Sequence, residues 1–162
     1  IGEADLAPYI YPDMDHIESA GIKVMYFSYF FRWSMLKNYD YIKNKYDFHT
    51  NPYGRTNGTF TDFDSLDDKI DNLYYHMQFV KFGFGRATRD SCRMIQNDQM
   101  TRADALELIL KYDDEFPRHY HNDHLEYLGM AEEEFLDIIY KHRNEEIWDL
   151  SKSVPRLRSF PR

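Results

Sequence analysis

Along the second half of the chain the apolar residues recur every three or four positions. Ile70, Leu73, Met77 and Val80 fall on one helical face, and Phe135, Ile138 and Ile139 fall on another. This period is that of an amphipathic helix, and it predicts helices near 66–81, 87–96, 102–112, 120–128 and 132–147. Capping residues place their ends. Ser65 with Asp68 in SLDD and Thr101 with Asp104 in TRAD have the spacing of a capping box, and Gly129 is a C-terminal stop. The first third is different. After the short helix-like DLAPYIYP, residues 22–31 read IKVMYFSYFF, β-branched and aromatic with little polar alternation, which predicts a buried strand. Helical spacing returns in MLKNYDYIKNKYD, residues 35–47, where Leu36, Tyr39, Ile42 and Tyr46 share a face. A strand leading into a helix is an α/β signature. The expected fold is therefore an α/β remnant followed by a predominantly α-helical C-terminal region.

These patterns divide the chain into 1–50, the end of the α/β part; 51–64, a turn-rich loop; 65–148, the helical domain; and 149–162, a basic tail. The loop takes its character from Gly54, Asn57 and Gly58, which break regular structure. The tail carries Lys152, Arg156, Arg158 and Arg162 and no acid, so an extended segment is expected, either meeting something anionic or simply fraying.

Charge and composition narrow the function. A chain of 162 residues suffices for one ordinary domain, and a formal net charge of -8 argues against a general nucleic-acid binder, which needs a basic face to neutralise phosphates. No run of 18 apolar residues is present, so no membrane span is expected and the protein reads as soluble and cytoplasmic. The single cysteine, Cys92, precludes an internal disulfide and fits a reducing compartment. With 14 Tyr, 12 Phe and 2 Trp, the aromatics exceed what a small helical core uses, which points to a pocket or interface. The charge is also segregated: Lys81 to Arg102 carries a net +3, whereas Asp113 to Asp137 carries -8.

Two stretches carry candidate chemistry. In KFGFGRATRD, Lys81 to Asp90, two glycines bare the backbone at a helix entry beside a lysine and two arginines. Gly83, Gly85, Lys81 and Arg86 could there cradle a phosphate, or the glycines could simply break one helix from the next. The loop GRTNGTFTDFDSLDDK brings Arg55, Thr59, Thr61, Asp67, Asp68 and Lys69 into one turn-rich span. Such groups recognise sugars and magnesium-linked phosphates, and they equally build a well-capped surface loop. The run RHYHNDH places His121 and His124 three apart, but it matches no zinc signature and reads as a solvated helix start, so no metal site is assigned. Cys92 lacks a nucleophile elbow and, with Ile95 three positions on, reads as a buried core thiol.

From about Gly21 to Asn144, several motifs in series resemble the C-terminal half of the N-acetyl sugar amidotransferases. They are G-R-T-x-G-T, S-L-D-D-K-I-D, K-F-G-x-G-R-A-T and L-G-M-x-E-E-E-F. These enzymes are PP-loop ATP pyrophosphatases of surface-polysaccharide biosynthesis, including lipopolysaccharide and O-antigen. The resemblance implies that the N-terminal α/β piece is the end of a PP-loop nucleotide-binding sheet. It also implies ATP with Mg2+ as cofactor, a sugar nucleotide as substrate, and a partner glutaminase subunit whose ammonia converts an acetamido into an acetamidino group. On this basis Arg55, Thr59, Thr61, Asp67, Asp68, Lys69, Lys81, Gly83, Gly85 and Arg86 are substrate- or phosphate-binding candidates, with no catalytic base identified. The family's S-G-G-x-D-S nucleotide loop is absent from this sequence, as are its zinc-binding cysteines, so the chain reads as a C-terminal part inactive by itself. Ala131 stands where relatives tend to carry a capping Thr. The competing expectation is a helical docking module that binds a partner without catalysis of its own.

Overall fold

The structure, a computed structural model, describes residues 2–159, and its chain divides after Trp33 into two compact units. The first contains short helices only: α1 (Glu3–Leu6), a 3-10 turn at Ala7–Tyr9, α2 (Met14–Ser19) and α3 (Phe27–Phe30). Asp13 caps α2 by accepting a hydrogen bond from the Asp15 N–H at 2.8 Å. Residues 22–31 form no strand, which corrects the reading of IKVMYFSYFF. Among the described residues the only strands are two short ones near the C-terminus, so this segment has no ladder to join. Without a neighbour, β-propensity does not make a strand. Tyr26, Phe27, Tyr29, Phe30, Phe31 and Trp33 are instead all more than half exposed.

The second unit is helical, as its apolar periodicity requires. Its helices are α4 (Met35–Lys45), α5 (Asp71–Phe82), α6 (Arg86–Gln96), α7 (Arg102–Tyr112), α8 (His121–Leu128) and α9 (Glu132–Lys141). Ser34 caps α4 and Thr101 caps α7, each accepting an N–H three residues on, and Gly83 and Gly129 end α5 and α8 in the left-handed conformation. Leu73 and Val80 of α5 meet Phe135 and Ile139 of α9 in the core, with Met77, Phe116 and Leu125 packed around them. This is the predicted pair of stripes. Tyr39 of α4 stacks on Phe63 at 4.3 Å, which fixes the loop that follows α4.

Four local readings change. Helix α5 starts at Asp71 rather than near 66, because Ser65 lies at φ 54, where an N-cap cannot form; Asp68 accepts the Ile70 N–H instead. Helix α9 ends at Lys141, not 147. The tail is no free extension: β1 (Trp148–Asp149) pairs antiparallel with β2 (Arg156–Leu157), and the Trp148 indole N–H donates to the Val80 carbonyl at 2.7 Å. Trp148 is thereby drawn into the core, T-shaped against Phe79. Arg162 of the basic tail lies outside the described residues. Cys92 is exposed, not a core thiol, since the face that α6 turns inward carries Arg86, Ala87, Asp90 and Ser91.

Candidate functional site

The loop from Asn51 to Lys69 is held in place from both ends. At one end Arg55 donates to both carboxylate oxygens of Glu115 at 2.7 Å and to the carbonyls of Thr56 and Thr59, while its guanidinium lies over the Tyr112 ring. Glu115 also accepts the Gly58 N–H at 2.9 Å. Burial pushes the Glu115 carboxyl upward, but the Arg55 and Gly58 hydrogen bonds outweigh it and leave the group below its ordinary value. A bidentate fork of this kind fixes geometry as well as charge.

At the other end a buried network joins the loop to α6. Thr59, fully buried, donates from its hydroxyl to Asp90 Oδ2 at 2.7 Å, and its neighbour Thr61 is also buried. Arg86 donates to Thr56 Oγ1 at 2.9 Å and to the Asp64 carbonyl at 2.6 Å, while Arg89 reaches Asp64 Oδ2 at 2.5 Å and Asp90 Oδ1 at 3.0 Å. Both guanidinium groups lie over the Tyr75 ring. The Arg86 side chain has no exposed surface, so an external phosphate has no access to it. The phosphate reading of Arg86 gives way to internal pairing: the Asp90 and Asp64 carboxylates stand 3.8 and 3.7 Å away. Burial lowers its pKa and those carboxylates oppose the shift.

The helix entry that KFGFGRATRD forms is filled in the same way. Asp113, next after α7, accepts the Gly85 N–H at 2.8 Å, the Thr88 N–H at 2.9 Å and the Thr88 hydroxyl at 2.6 Å. A carboxylate therefore sits where the free N–H groups and positive dipole end of α6 favour a negative charge. Gly85 is required by this closeness, since a Cβ there would lie 2.7 Å from the Asp113 carbonyl oxygen. Gly83 faces Ile147 and Leu157 at equally short range, and Lys81 is exposed, its ammonium 5.8 Å from the Phe82 ring centre. None of Lys81, Gly83 and Gly85 lines a cavity that the loop forms.

The loop does open a cavity of about 400 Å³ between 49–53, 65–69, Asn72 and Tyr120, and three candidates, Asp67, Asp68 and Lys69, line it. A smaller hollow of about 290 Å³ shares Asn51, Tyr53, Thr56 and Asn72 with it and adds Arg55 and His119. Lys69 pairs with Asp123, which raises the ammonium and lowers the carboxyl pKa, and its ammonium also lies 5.4 Å from the Tyr120 ring centre. The fully buried His124 donates from Nε2 to the Lys69 carbonyl at 2.9 Å and so fixes the backbone there. Among the described residues no group of three or more His, Cys, Asp or Glu side chains could hold a metal ion.

Sequence reasoning missed Asn51, Tyr53, Asn72 and Tyr120. Asn72 matters most: it is 4% exposed, it borders both hollows, and its carboxamide has no hydrogen-bond partner among the described residues. Neither of its side-chain polar atoms is among the buried unsatisfied ones, so the amide is open to the hollows it borders and has a donor and an acceptor to offer a ligand there. A signal was present, because Asn72 and His76 are polar residues four apart on the face of α5 that also carries Leu73 and Val80.

Residues 57–159 match the family model described as LPS biosynthesis protein WbpG-like, C-terminal domain. No curated protein matches the chain.

Proposed function

The chain belongs to the WbpG-like family of LPS biosynthesis proteins, as its C-terminal domain, and from that premise we propose that the cavity around Asn72 binds the sugar of a nucleotide-linked N-acetyl sugar. In this reading the chain supplies the substrate-holding part of an amidotransferase that turns the sugar's acetamido group into an acetamidino group, with ammonia from a partner glutaminase. The observation that carries it is the Asn72 amide, without a protein partner among the described residues and open to the hollow, which can donate and accept at once, set beside Asp67, Asp68 and Lys69 in a space of about 400 Å³. Sugars present adjacent hydroxyls that need donors and acceptors together, and the Tyr53 and Tyr120 rings offer apolar faces to the pyranose. Arg86, Arg89, Thr59 and Asp90 keep this loop in shape from behind, and Arg55 with Glu115 keeps it from the side.

The α6 entry, where the glycine-rich stretch would cradle a phosphate, is already satisfied by Asp113. ATP-dependent activation of the acetamido oxygen belongs, on this reading, to the S-G-G-x-D-S loop that this sequence lacks. A second reading, a docking module without catalysis, draws support from the exposed aromatic run between Tyr26 and Trp33. Thermal stability separates the two. A UDP-linked N-acetylhexosamine at a hundred times its dissociation constant raises stability by about 2.7 kcal/mol if the cavity binds it, and a pure docking module shows no shift.

A further inference from the structure

A second cavity, of about 520 Å³, lies on another side of α5, bounded by α7, the residues after α9 and the β1–β2 hairpin. Its walls are mostly apolar: Phe79 and Ile109 are buried, and Pro155 and Leu157 of the hairpin face them. Among the polar groups that also line it, two stand out. His76 is 8% exposed with Nδ1 unpartnered, and Arg143 has a buried, unpartnered Nε. The Arg143 guanidinium lies 5.3 Å from the Trp148 ring centre, makes one long hydrogen bond to the Ile139 carbonyl, and has no carboxylate paired with it among the described residues.

We propose that this cavity binds a small monocarboxylate with an apolar or aromatic body, its carboxylate held by Arg143 beside His76 and its body against Phe79, Ile109 and Leu157. The volume is that of a site for one small molecule. A guanidinium fork without a counter-charge on an apolar floor is complementary to a planar carboxylate. The charge of the ligand follows from the lining, to which Asp113 and Asp114 contribute as well as Arg143 and Arg156. Asp113 is already engaged with Gly85 and Thr88, but both carboxylates repel a second negative charge. The imidazole fits the same picture: burial first, and then the Arg143 charge, push the His76 pKa down to about 4, with the Glu115 backbone acting the other way. An anion seated between His76 and Arg143 reverses part of that shift.

The inference is independent of the sugar site, since the two cavities share no lining residue. Its test uses 2-naphthoate and the neutral 2-naphthylmethanol as probes, followed by 15N chemical shifts of the full chain. The acid is expected to move the Trp148 Nε1–H and Arg143 Nε–H resonances and to bind at least about tenfold more tightly than the alcohol. Arg143→Gln removes that preference, and saturation with naphthoate raises the His76 pKa in a 13C-imidazole titration. A UDP-linked sugar does not compete. Equal affinity for acid and alcohol, shifts confined to residues 22–33, or a preference that survives Arg143→Gln overturns the proposal. If Arg143→Gln does not fold, the wild-type acid-to-alcohol ratio and the His76 titration decide it alone.

Discussion

Replacing Arg86 by methionine tests whether the basic stretch at the α5–α6 junction is structural. The substitution keeps most of the volume and removes a guanidinium whose side chain is fully buried. Thr56 Oγ1 and the Asp64 carbonyl each lose a donor, and the Asp90 carboxylate, 1% exposed, loses one of its two cationic neighbours. Thr59 and Arg89 still hold Asp90, so the charge is under-compensated rather than abandoned. Removing one partner from a buried ionic network costs about 3–5 kcal/mol. With a urea slope of about 2 kcal/mol/M, the unfolding midpoint falls by about 1.5–2.5 M, measured by far-UV circular dichroism and tryptophan fluorescence. Arg86→Lys keeps the charge but cannot reach Thr56 and Asp64 together, so it falls between, losing about 1–3 kcal/mol. A midpoint unchanged within about 0.5 M, together with lost affinity for an anionic ligand, refutes this reasoning and returns Arg86 to the role of an external anion contact.

Other outcomes follow from the same geometry. The buried His76, with a pKa near 4 in place of 6.5, stays neutral in the folded chain while the unfolded chain takes up a proton, so its stabilisation is complete above about pH 6.5 and is lost as pH falls towards 4. The loss amounts to about 3 kcal/mol; urea titrations at pH 7 and pH 4 measure it, and a His76→Phe variant with the same pH slope contradicts it. Gly85→Ala drives a Cβ into the Asp113 carbonyl at 2.7 Å and lowers stability by about 2 kcal/mol or more, whereas a melting temperature unchanged by this substitution removes the close approach as its cause. The isolated chain is expected to release no pyrophosphate from ATP, and turnover that Asp67→Asn or Lys69→Met abolishes contradicts the assignment of that step elsewhere.

Helices were legible where a local signal marks them. Thr101 and Asp104 start α7 at the residue their spacing indicates, Gly129 ends α8, and the Leu73/Val80 and Phe135/Ile139 stripes do meet. The start of α5 was not legible, because Ser65 to Lys69 leave the helix to line a cavity, and a capping pattern does not reveal a left-handed serine. Residues 22–31 have the composition of a strand, but a strand exists only through its neighbour. Of the residues singled out from the sequence, Asp67, Asp68 and Lys69 line the larger hollow and Arg55 the smaller. The sequence could not foresee that the anion favoured by the α6 entry is Asp113, 28 positions from Gly85, because that contact is created by the packing of α7 on α6. Asn72 escaped for the related reason that its place beside both hollows comes from packing, not from residue type.

The most direct measurement of the sugar-site assignment is the dissociation constant of a UDP-linked N-acetylhexosamine for the wild-type chain and for Asn72→Ala, by isothermal titration calorimetry. The wild type binds, and Asn72→Ala weakens binding by about ten- to a hundredfold, corresponding to one or two lost hydrogen bonds, while its urea midpoint stays level because the amide has no internal partner to lose. Equal affinity in the two proteins, or no binding by a folded wild type, contradicts the assignment of the cavity around Asn72 to the sugar.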